Sequence, residues 1–480
     1  MATILLVNCM NFERDVKNKF AWFVAPLGIG YVASYARARG YDVAMIDLRL
    51  FDGWEDVIRI LLEHKPKIVG LSAMTPEADL AAGVAALVHE TLPGTTIVLG
   101  GAHATVCPDE AIKIPHVDFL IRAEGEETFV ALCDALRSDG DVSGIEGIVW
   151  RRGDVIVTNP ARPPIANLDS LPFPARDIIG GERYYTDAYE LFFPMQYPYL
   201  NIMSSRGCFA GCSMCQPTLE MIFGKGVRHR SVANVVAEIV ELKTKYGIRS
   251  VIFWDDTFTM DKNWVTCFCQ ALTATKLMVS WWCYARVNTL TDALLGQMKK
   301  AGCAMICFGI ESGSQRVLTE ILHKGTTVEQ NRQAIALCKK ARVLVNANVM
   351  IGSPSETLQE VYLTDRFLEE TRPELVWAAI TSPLPGTLLG DEARRNGLIL
   401  ARNWSDYARS QVGVPKLKTG IPFETISWYQ AQWHTTGFTP RFLFEAQYRD
   451  ACIARCLCHI RVGEPGRIME EFVRVWYRSA

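Results

Sequence analysis

The sequence lacks the features that would place it in a membrane, outside the cell or on nucleic acid. No run of about 18 apolar residues occurs, so no segment is long enough to span a bilayer as a helix. The N-terminus, Met1-Ala2-Thr3-Ile4-Leu5-Leu6-Val7-Asn8, has neither the basic region nor the long apolar stretch of a secretory signal, and reads as a buried first strand. Neither sign of charge is in excess: 50 Lys+Arg stand against 52 Asp+Glu. A near-neutral chain has no electrostatic reason to seek nucleic acid or acidic lipid. The 15 cysteines are odd in number and irregular in spacing. Without an export signal that pattern argues for reduced thiols in the cytoplasm, not for a disulfide framework. Most should be small buried hydrophobes.

What is present is enough chain for two or three cores: 480 residues, 49% of them hydrophobic. Over residues 1–145, short apolar runs at Ile4–Val7, Val43–Ile46, Ile68–Leu71, Ile97–Leu99 and Phe119–Ile121 alternate with amphipathic stretches at Leu27–Arg39, Trp54–His64, Ala78–Thr91 and Glu126–Arg137. That alternation predicts a doubly wound, Rossmann-like parallel sheet with ligands at the carboxyl ends of its strands. Residues 146–198 read as a hairpin turning at Arg152-Gly153-Asp154, then a linker. Pro160, Pro163, Pro164, Pro172, Pro174, Pro194 and Pro198 forbid a long helix there.

A second strand–helix series fills residues 199–400. Strands are expected at Leu200–Met203, Ser250–Phe253, Ser280–Tyr284, Ala304–Gly309, Leu344–Ile351 and Leu375–Thr381, each followed by a helix-length segment. Six such units predict a partial (β/α)6 TIM-type barrel with its chemistry at the carboxyl ends of the strands. Residues 401–480 read as a helical C-terminal capping subdomain.

Directly after the first of these strands comes Cys208-Phe209-Ala210-Gly211-Cys212-Ser213-Met214-Cys215. Three cysteines at spacings x3 and x2 on a Gly-containing loop can converge their sulfurs on one point, and thiolates suit iron–sulfur clusters or zinc. Zinc would want a fourth ligand, for which His229 is nearest in sequence. A three-cysteine [4Fe–4S] site instead leaves one iron open to a small molecule. Purely structural cysteines in such a loop would be exposed to oxidation.

At this motif the sequence resembles the radical S-adenosylmethionine (SAM) superfamily, and the resemblance runs over nearly the whole chain. It is closest to the branch with a cobalamin (B12)-binding-type domain ahead of the barrel. The matching stretches are Pro26-Leu27-Gly28, Leu99–Thr105 and Glu124-Gly125-Glu126 in the first domain. In the second they are Arg206-Gly207-Cys208, Trp254–Phe258, Gly309–Ser314, Gly352–Thr357 and Pro383–Thr387. The resemblance implies a [4Fe–4S] cluster on Cys208, Cys212 and Cys215, with SAM chelating the fourth iron. Reduction by a partner such as flavodoxin or ferredoxin would cleave SAM to a 5′-deoxyadenosyl radical that abstracts a substrate hydrogen. Met214 stands where the family usually has an aromatic residue near the adenine.

Further site residues follow from strand ends. Glu311 is expected to accept the SAM ribose hydroxyls, against the alternative of a buried acid paired with Arg286 or Arg316. Asp255 and Asp256 are candidate catalytic acids near the SAM amino group or the substrate, or else one of them caps a turn. Gly352-Ser353-Pro354 would let backbone approach a planar ligand. Arg286 and Lys324 could hold an anion or form barrel salt bridges. In the first domain Ser72, Thr75, Gly100, Gly101, His103 and Glu124 lie where the family holds cobalamin, although the Asp-x-His-x-x-Gly pattern that supplies an axial histidine elsewhere is missing. Cys452, Cys456, Cys458 and His459 read better as helix packing than as a second metal site. So do Cys303/Cys307 and Cys267/Cys269, and Gly28-x-Gly30 is too little for a dinucleotide site.

Two functions compete. The favoured one is cobalamin-dependent methylation of a small-molecule biosynthetic intermediate. The alternative is a cobalamin-independent radical dehydratase or lyase acting on a sugar or aminoglycoside, with the first domain as scaffold.

Overall fold

The computed structural model describes residues 3–10, 24–179, 196, 198–408 and 415–434. It forms two compact units, one of Met1–Tyr184, Ser205–Arg230 and Ser382–Leu417, the other of Tyr185–Ser204, Ser231–Thr381 and Lys418–Ala480. The motif Cys452/Cys456/Cys458 lies outside the described residues.

In the first unit, strands β1 (Ile4–Asn8), β2 (Val43–Asp47), β3 (Ile68–Ser72), β4 (Thr96–Gly100) and β5 (Phe119–Ile121) run parallel in the order β2-β1-β3-β4-β5. Their β-branched runs are buried, as a parallel sheet covered by helices requires. Helices α1 (Leu27–Ala38), α2 (Trp54–His64), α3 (Ala78–Thr91), α4 (Ala102–Val106), α5 (Pro108–Ala111) and α6 (Glu126–Arg137) supply the connections. The strand order reverses between β1 and β3, and Asn8, Ser72 and Gly100 stand in register at that carboxyl edge. Such a switch point is where doubly wound sheets bind ligands. The hairpin, β6 (Ile148–Arg152) and β7 (Val155–Thr158), adds two antiparallel strands to this same sheet. It therefore belongs with the first domain, and a division at residue 145 cuts through the sheet.

In the second unit β8 (Tyr199–Ile202) begins a new sheet. The chain then returns to the first unit for a two-stranded antiparallel ladder, β9 (Ser205–Arg206) and β10 (Arg228–His229), which brackets α7 (Thr218–Phe223). After α8 (Val232–Tyr246) come β11 (Ser250–Phe253), α9 (Lys262–Ala274), β12 (Ser280–Ala285), α10 (Asp292–Lys300), β13 (Cys303–Glu311), α11 (Val328–Lys340), β14 (Leu344–Ile351), α12 (Leu358–Thr371) and β15 (Leu375–Ile380), and then, back in the first unit, α13 (Leu388–Arg395). The six strands β8, β11, β12, β13, β14 and β15 are parallel and spatially consecutive, the order of a (β/α)6 partial barrel.

Local chemistry starts each of these helices. Ser231, Asp261, Thr291, Thr327, Thr357 and Thr387 are the N-caps, each accepting a bond from a backbone N–H of the first turn. Their numbers advance by 30 except for one step of 36, so one module recurs along the chain. Thr327 and Thr357 complete capping boxes with Gln330 and Glu360. On the helix side of the sheet Phe253, Phe258, Phe268 and Trp281 pack tilted or edge-on, with ring centroids 4.4–5.7 Å apart.

The stretch 401–480 is not one subdomain. Residues up to Leu417 belong to the first unit, and helix α14 (Phe423–His434) to the second.

Candidate functional site

The three cysteines sit in the loop closed at its base by the β9–β10 ladder. Cys208 and Cys212 are buried, Cys215 is half-buried, and the three pack together with Ala210, Met214 and Leu219. The loop is wound on itself: Cys215 N–H and Gln216 N–H both donate to the Cys212 carbonyl, at 3.0 and 2.9 Å, and Gln216 Nε2 donates to the Cys208 carbonyl at 3.2 Å. From outside, two otherwise unused N–H groups at the start of α13 hold it, Leu388 donating to the Gln216 carbonyl (2.9 Å) and Leu389 to that of Ser213 (3.0 Å). Among the described residues no three or more His, Cys, Asp or Glu side chains are already gathered as metal ligands. By donor chemistry, three soft thiols on one loop, with no carboxylate or imidazole between Cys208 and Cys215, fit iron–sulfur better than zinc or a hard cation.

Just before the cysteines stands a buried ionic network that the sequence reading missed. Arg206 donates to Glu124 Oε1 and to Glu126 Oε1, both at 2.6 Å. Arg228, its partner across the ladder, donates to Glu124 Oε2 at 3.0 Å and to Oε1 at 3.1 Å. Glu124 Oε2 also accepts the Ile165 N–H at 2.8 Å. Burial pushes the Arg206 guanidinium down, but the charges and hydrogen bonds of Glu126 and Glu124 outweigh it and hold Arg206 above its ordinary pKa. Glu124, expected at the strand ends where the family holds cobalamin, has its oxygens engaged by Arg206, Arg228 and the Ile165 N–H.

At the carboxyl edge of the same unit, Ser72 is half-buried and Thr75 buried at the start of a single turn, Thr75–Glu77. Gly100 ends β4, and Gly101 is needed because a Cβ there would stand 2.5 Å from the Ala73 carbonyl oxygen. His103 is 1% exposed and packs edge-on against Trp404, centroids 4.9 Å apart. Neither of its ring nitrogens has a hydrogen-bond partner among the described residues, and burial lowers its pKa to about 4. Asn8 Nδ2 and Glu77 Oε2 are likewise buried without partners, and burial raises the Glu77 carboxyl to about 7. Such orphaned polar atoms fit a polar ligand at this edge. Asn8 and Glu77 were not singled out from sequence, though their places at the ends of β1 and β3 were the available signal.

In the second unit the singled-out residues stand at the carboxyl ends of four adjacent strands. Asp255, after β11, is buried and accepts from Ser204, N–H to Oδ1 and Oγ to Oδ2, both at 2.6 Å. It thus fixes the end of neighbouring β8. Asp256 is exposed. Arg286, after β12, is half-buried and donates to the Lys324 carbonyl. Glu311, at the end of β13, pairs with Lys324 at 2.7 Å, and Arg316 with Glu360 at the same distance. The partner of Glu311 is therefore neither Arg286 nor Arg316. After β14, Gly352 has φ +80°, which favours glycine, and what comes close to it is Ile426 Cδ1 of α14, 3.0 Å from where a Cβ would be. The Gly352 and Ser353 N–H groups donate to Glu356 Oε2 at 2.8 and 3.0 Å, Ser353 Oγ meets Thr381 Oγ1 at 3.0 Å, and Pro354 is half-buried. Burial raises the Glu356 carboxyl to about 7 against the pull of those two N–H groups, and the charge of Glu360 adds to the rise.

A doubly wound sheet, a (β/α)6 partial barrel and a three-thiol loop after the first barrel strand define a class: two-domain α/β enzymes that work with a soft-metal cofactor. Comparison with known proteins narrows it. The model of the B12 binding domain matches residues 13–133, and that of the radical SAM superfamily residues 202–368. An uncharacterized methyltransferase of Pyrococcus horikoshii is 34% identical over 397 residues, 82% of this chain and 84% of its own. The anaerobic magnesium-protoporphyrin IX monomethyl ester cyclase of Rubrivivax gelatinosus is 30% identical over 369 residues, 75% of this chain and 64% of that one. Among solved structures, the cobalamin-dependent S-adenosylmethionine radical enzyme OxsB, with aqua-cobalamin and S-adenosylmethionine bound, has the same fold. Its TM-score is 0.72 at 17% identity, over 99% of this chain and 75% of that one. The chain belongs to the radical SAM superfamily, in the branch that carries a B12-binding domain ahead of the radical SAM domain, and it is a radical SAM enzyme. Among the described residues no helix is long and apolar enough to cross a membrane.

Proposed function

We propose that this enzyme methylates a small-molecule biosynthetic intermediate with the help of cobalamin. One observation carries the reading: Asn8 Nδ2, Glu77 Oε2 and both ring nitrogens of His103 are buried near the carboxyl edge of the first sheet without hydrogen-bond partners among the described residues, as a site for a polar ligand would leave them. The methyltransferase name of the Pyrococcus horikoshii relative supports it.

When bound, the cluster with SAM supplies a carbon radical that removes a substrate hydrogen, and cobalamin supplies a carrier for the methyl group. Cys208, Cys212 and Cys215 would hold the cluster, with Met214 beside them. Glu311 keeps Oε2 without a hydrogen bond among the described residues and would accept the SAM ribose there, while Lys324 holds Oε1. Asn8, Glu77 and His103 would face the cobalamin side of the first sheet, next to Ser72, Thr75, Gly100 and Gly101. Asp255 positions Ser204, and Asp255, Asp256 and Arg286 are the polar groups at the ends of β11 and β12 that would orient SAM or substrate. A near-neutral chain fits a small molecule better than nucleic acid, and a reductant such as flavodoxin or ferredoxin would deliver the electron.

The test is anaerobic purification followed by turnover with SAM, reductant and a candidate substrate. Corrin absorbance that survives gel filtration, with both 5′-deoxyadenosine and S-adenosylhomocysteine formed, supports methylation. Formation of 5′-deoxyadenosine alone, at a rate indifferent to cobalamin, would select the dehydratase or lyase reading instead.

A further inference from the structure

The β9–β10 ladder sets Arg206 directly opposite Arg228. Two like charges facing each other across a ladder repel, and they do so more in a buried place. The side chain of Arg206 is 6% exposed and those of Glu124 and Glu126 are 5% and 4%. The pair is tolerated because Glu124 lies between them, receiving both guanidinium groups, while Glu126 takes the second arm of Arg206. Two positive and two negative charges cancel. Arg206 and Arg228 also bound the segment that contains all three cysteines, so one carboxylate grips both ends of that loop. Tyr31 of α1 lies beneath the guanidinium of Arg206, 5.2 Å from ring centroid to carbon, and closes the network on another side.

We propose that Glu124 is a positioning residue for the cysteine loop, anchoring both of its ends to the B12-binding-type domain and keeping the charge next to the thiolates neutral. This rests on the reading that Cys208, Cys212 and Cys215 hold an iron–sulfur cluster. Net charge around a cluster is one of the terms that set its reduction potential. Removing the Glu124 carboxylate leaves an uncompensated guanidinium two residues ahead of Cys208, which favours the electron-richer cluster. A residue that merely filled space would leave the potential where it was.

The experiment uses the full chain, reconstituted anaerobically with iron and sulfide, and reads the cluster's midpoint potential by redox titration followed by EPR. Glu124→Gln is compared with wild type and with Glu127→Gln. Glu127 is 40% exposed and lies three residues on, in the first turn of α6 and outside the network, 3.6 Å from Arg162. The expected result is wild-type iron content with a midpoint moved to more positive potential in Glu124→Gln and unmoved in Glu127→Gln. An intact cluster with an unchanged midpoint in Glu124→Gln would overturn the proposal. If Glu124→Gln fails to fold, as judged by circular dichroism, Glu126→Gln takes its place, since it strips the other arm of Arg206. The same positive movement is then expected, and an unmoved midpoint refutes. Failure of the wild type to bind iron would instead remove the cluster reading beneath it.

Discussion

Lys324 Nζ lies 2.7 Å from Glu311 Oε1, and the pair closes over the α-carbon of Gly309, just where the register of β13 against β14 slips. A side chain at 309 would collide with both partners. The bulge puts Glu311 at φ +62° and turns its carboxylate to Lys324. Glu311→Gln keeps the shape and loses the charge. Hydrogen bonds to a charged group contribute about 1.5–3 kcal/mol, so SAM should bind roughly 10–100-fold more weakly. Calorimetric titration would measure this, and the iron–sulfur absorbance should stay at the wild-type level.

The cysteines divide by place. Cys212→Ala should abolish both the iron–sulfur absorbance and SAM cleavage. Cys307 lies buried within β13, and its thiol is pushed up by that burial. Cys307→Ala should keep the cluster and lose only packing, measured as a lower unfolding midpoint with unchanged iron content.

His103 gives the fold an acid-sensitive term. Its folded pKa of about 4 lies below the unfolded value of 6.5, so between those pH values the unfolded chain binds more protons and stability falls as pH is lowered. The loss should approach about 3 kcal/mol by pH 4. His103→Phe should flatten that part of the stability–pH curve in denaturant titrations. An equal slope in the variant would assign the acid sensitivity elsewhere.

Glu356 acts with the opposite sign. Its carboxyl is raised from 4.5 to about 7, so the folded state binds more protons across that window and stability falls as pH rises through it. Glu356→Gln can still accept the Gly352 and Ser353 N–H groups through its amide oxygen. The variant should therefore gain stability relative to wild type between pH 5 and pH 8, by at most about 3 kcal/mol. Unfolding curves at the two pH values test it.

What was legible in the sequence was local. The strand–helix alternation of the barrel was readable because helix starts are set locally: the caps at Ser231, Asp261, Thr291, Thr327, Thr357 and Thr387 act within three residues. The cysteine spacing spans eight residues and was equally readable. Asp255 was not, because its partner Ser204 is 51 residues away and a strand-end aspartate looks the same whether it faces ligand or a neighbouring strand. The arginine partners of Glu124 were out of sight for the same reason, with Arg206 82 residues and Arg228 104 residues off. Lys324 was in view, but nothing in sequence ranks it above Arg286 or Arg316 as the partner of Glu311. The bulge that makes the choice is a property of the sheet.

The distance between Glu124 and Arg206 also has a meaning in time. A ribosome adding about 5–20 residues per second needs roughly 4–16 s to make the 82 residues that separate them. Throughout that interval Glu124 and Glu126 lack their native partners Arg206 and Arg228, so that side of the nascent domain has to stay hydrated. Residues Ser382–Leu417, which complete the same unit, emerge later still. The domain begun first is finished only after the barrel strands have been made, so a stalled or shortened chain strands two unpaired carboxylates at the seat of the cysteine loop.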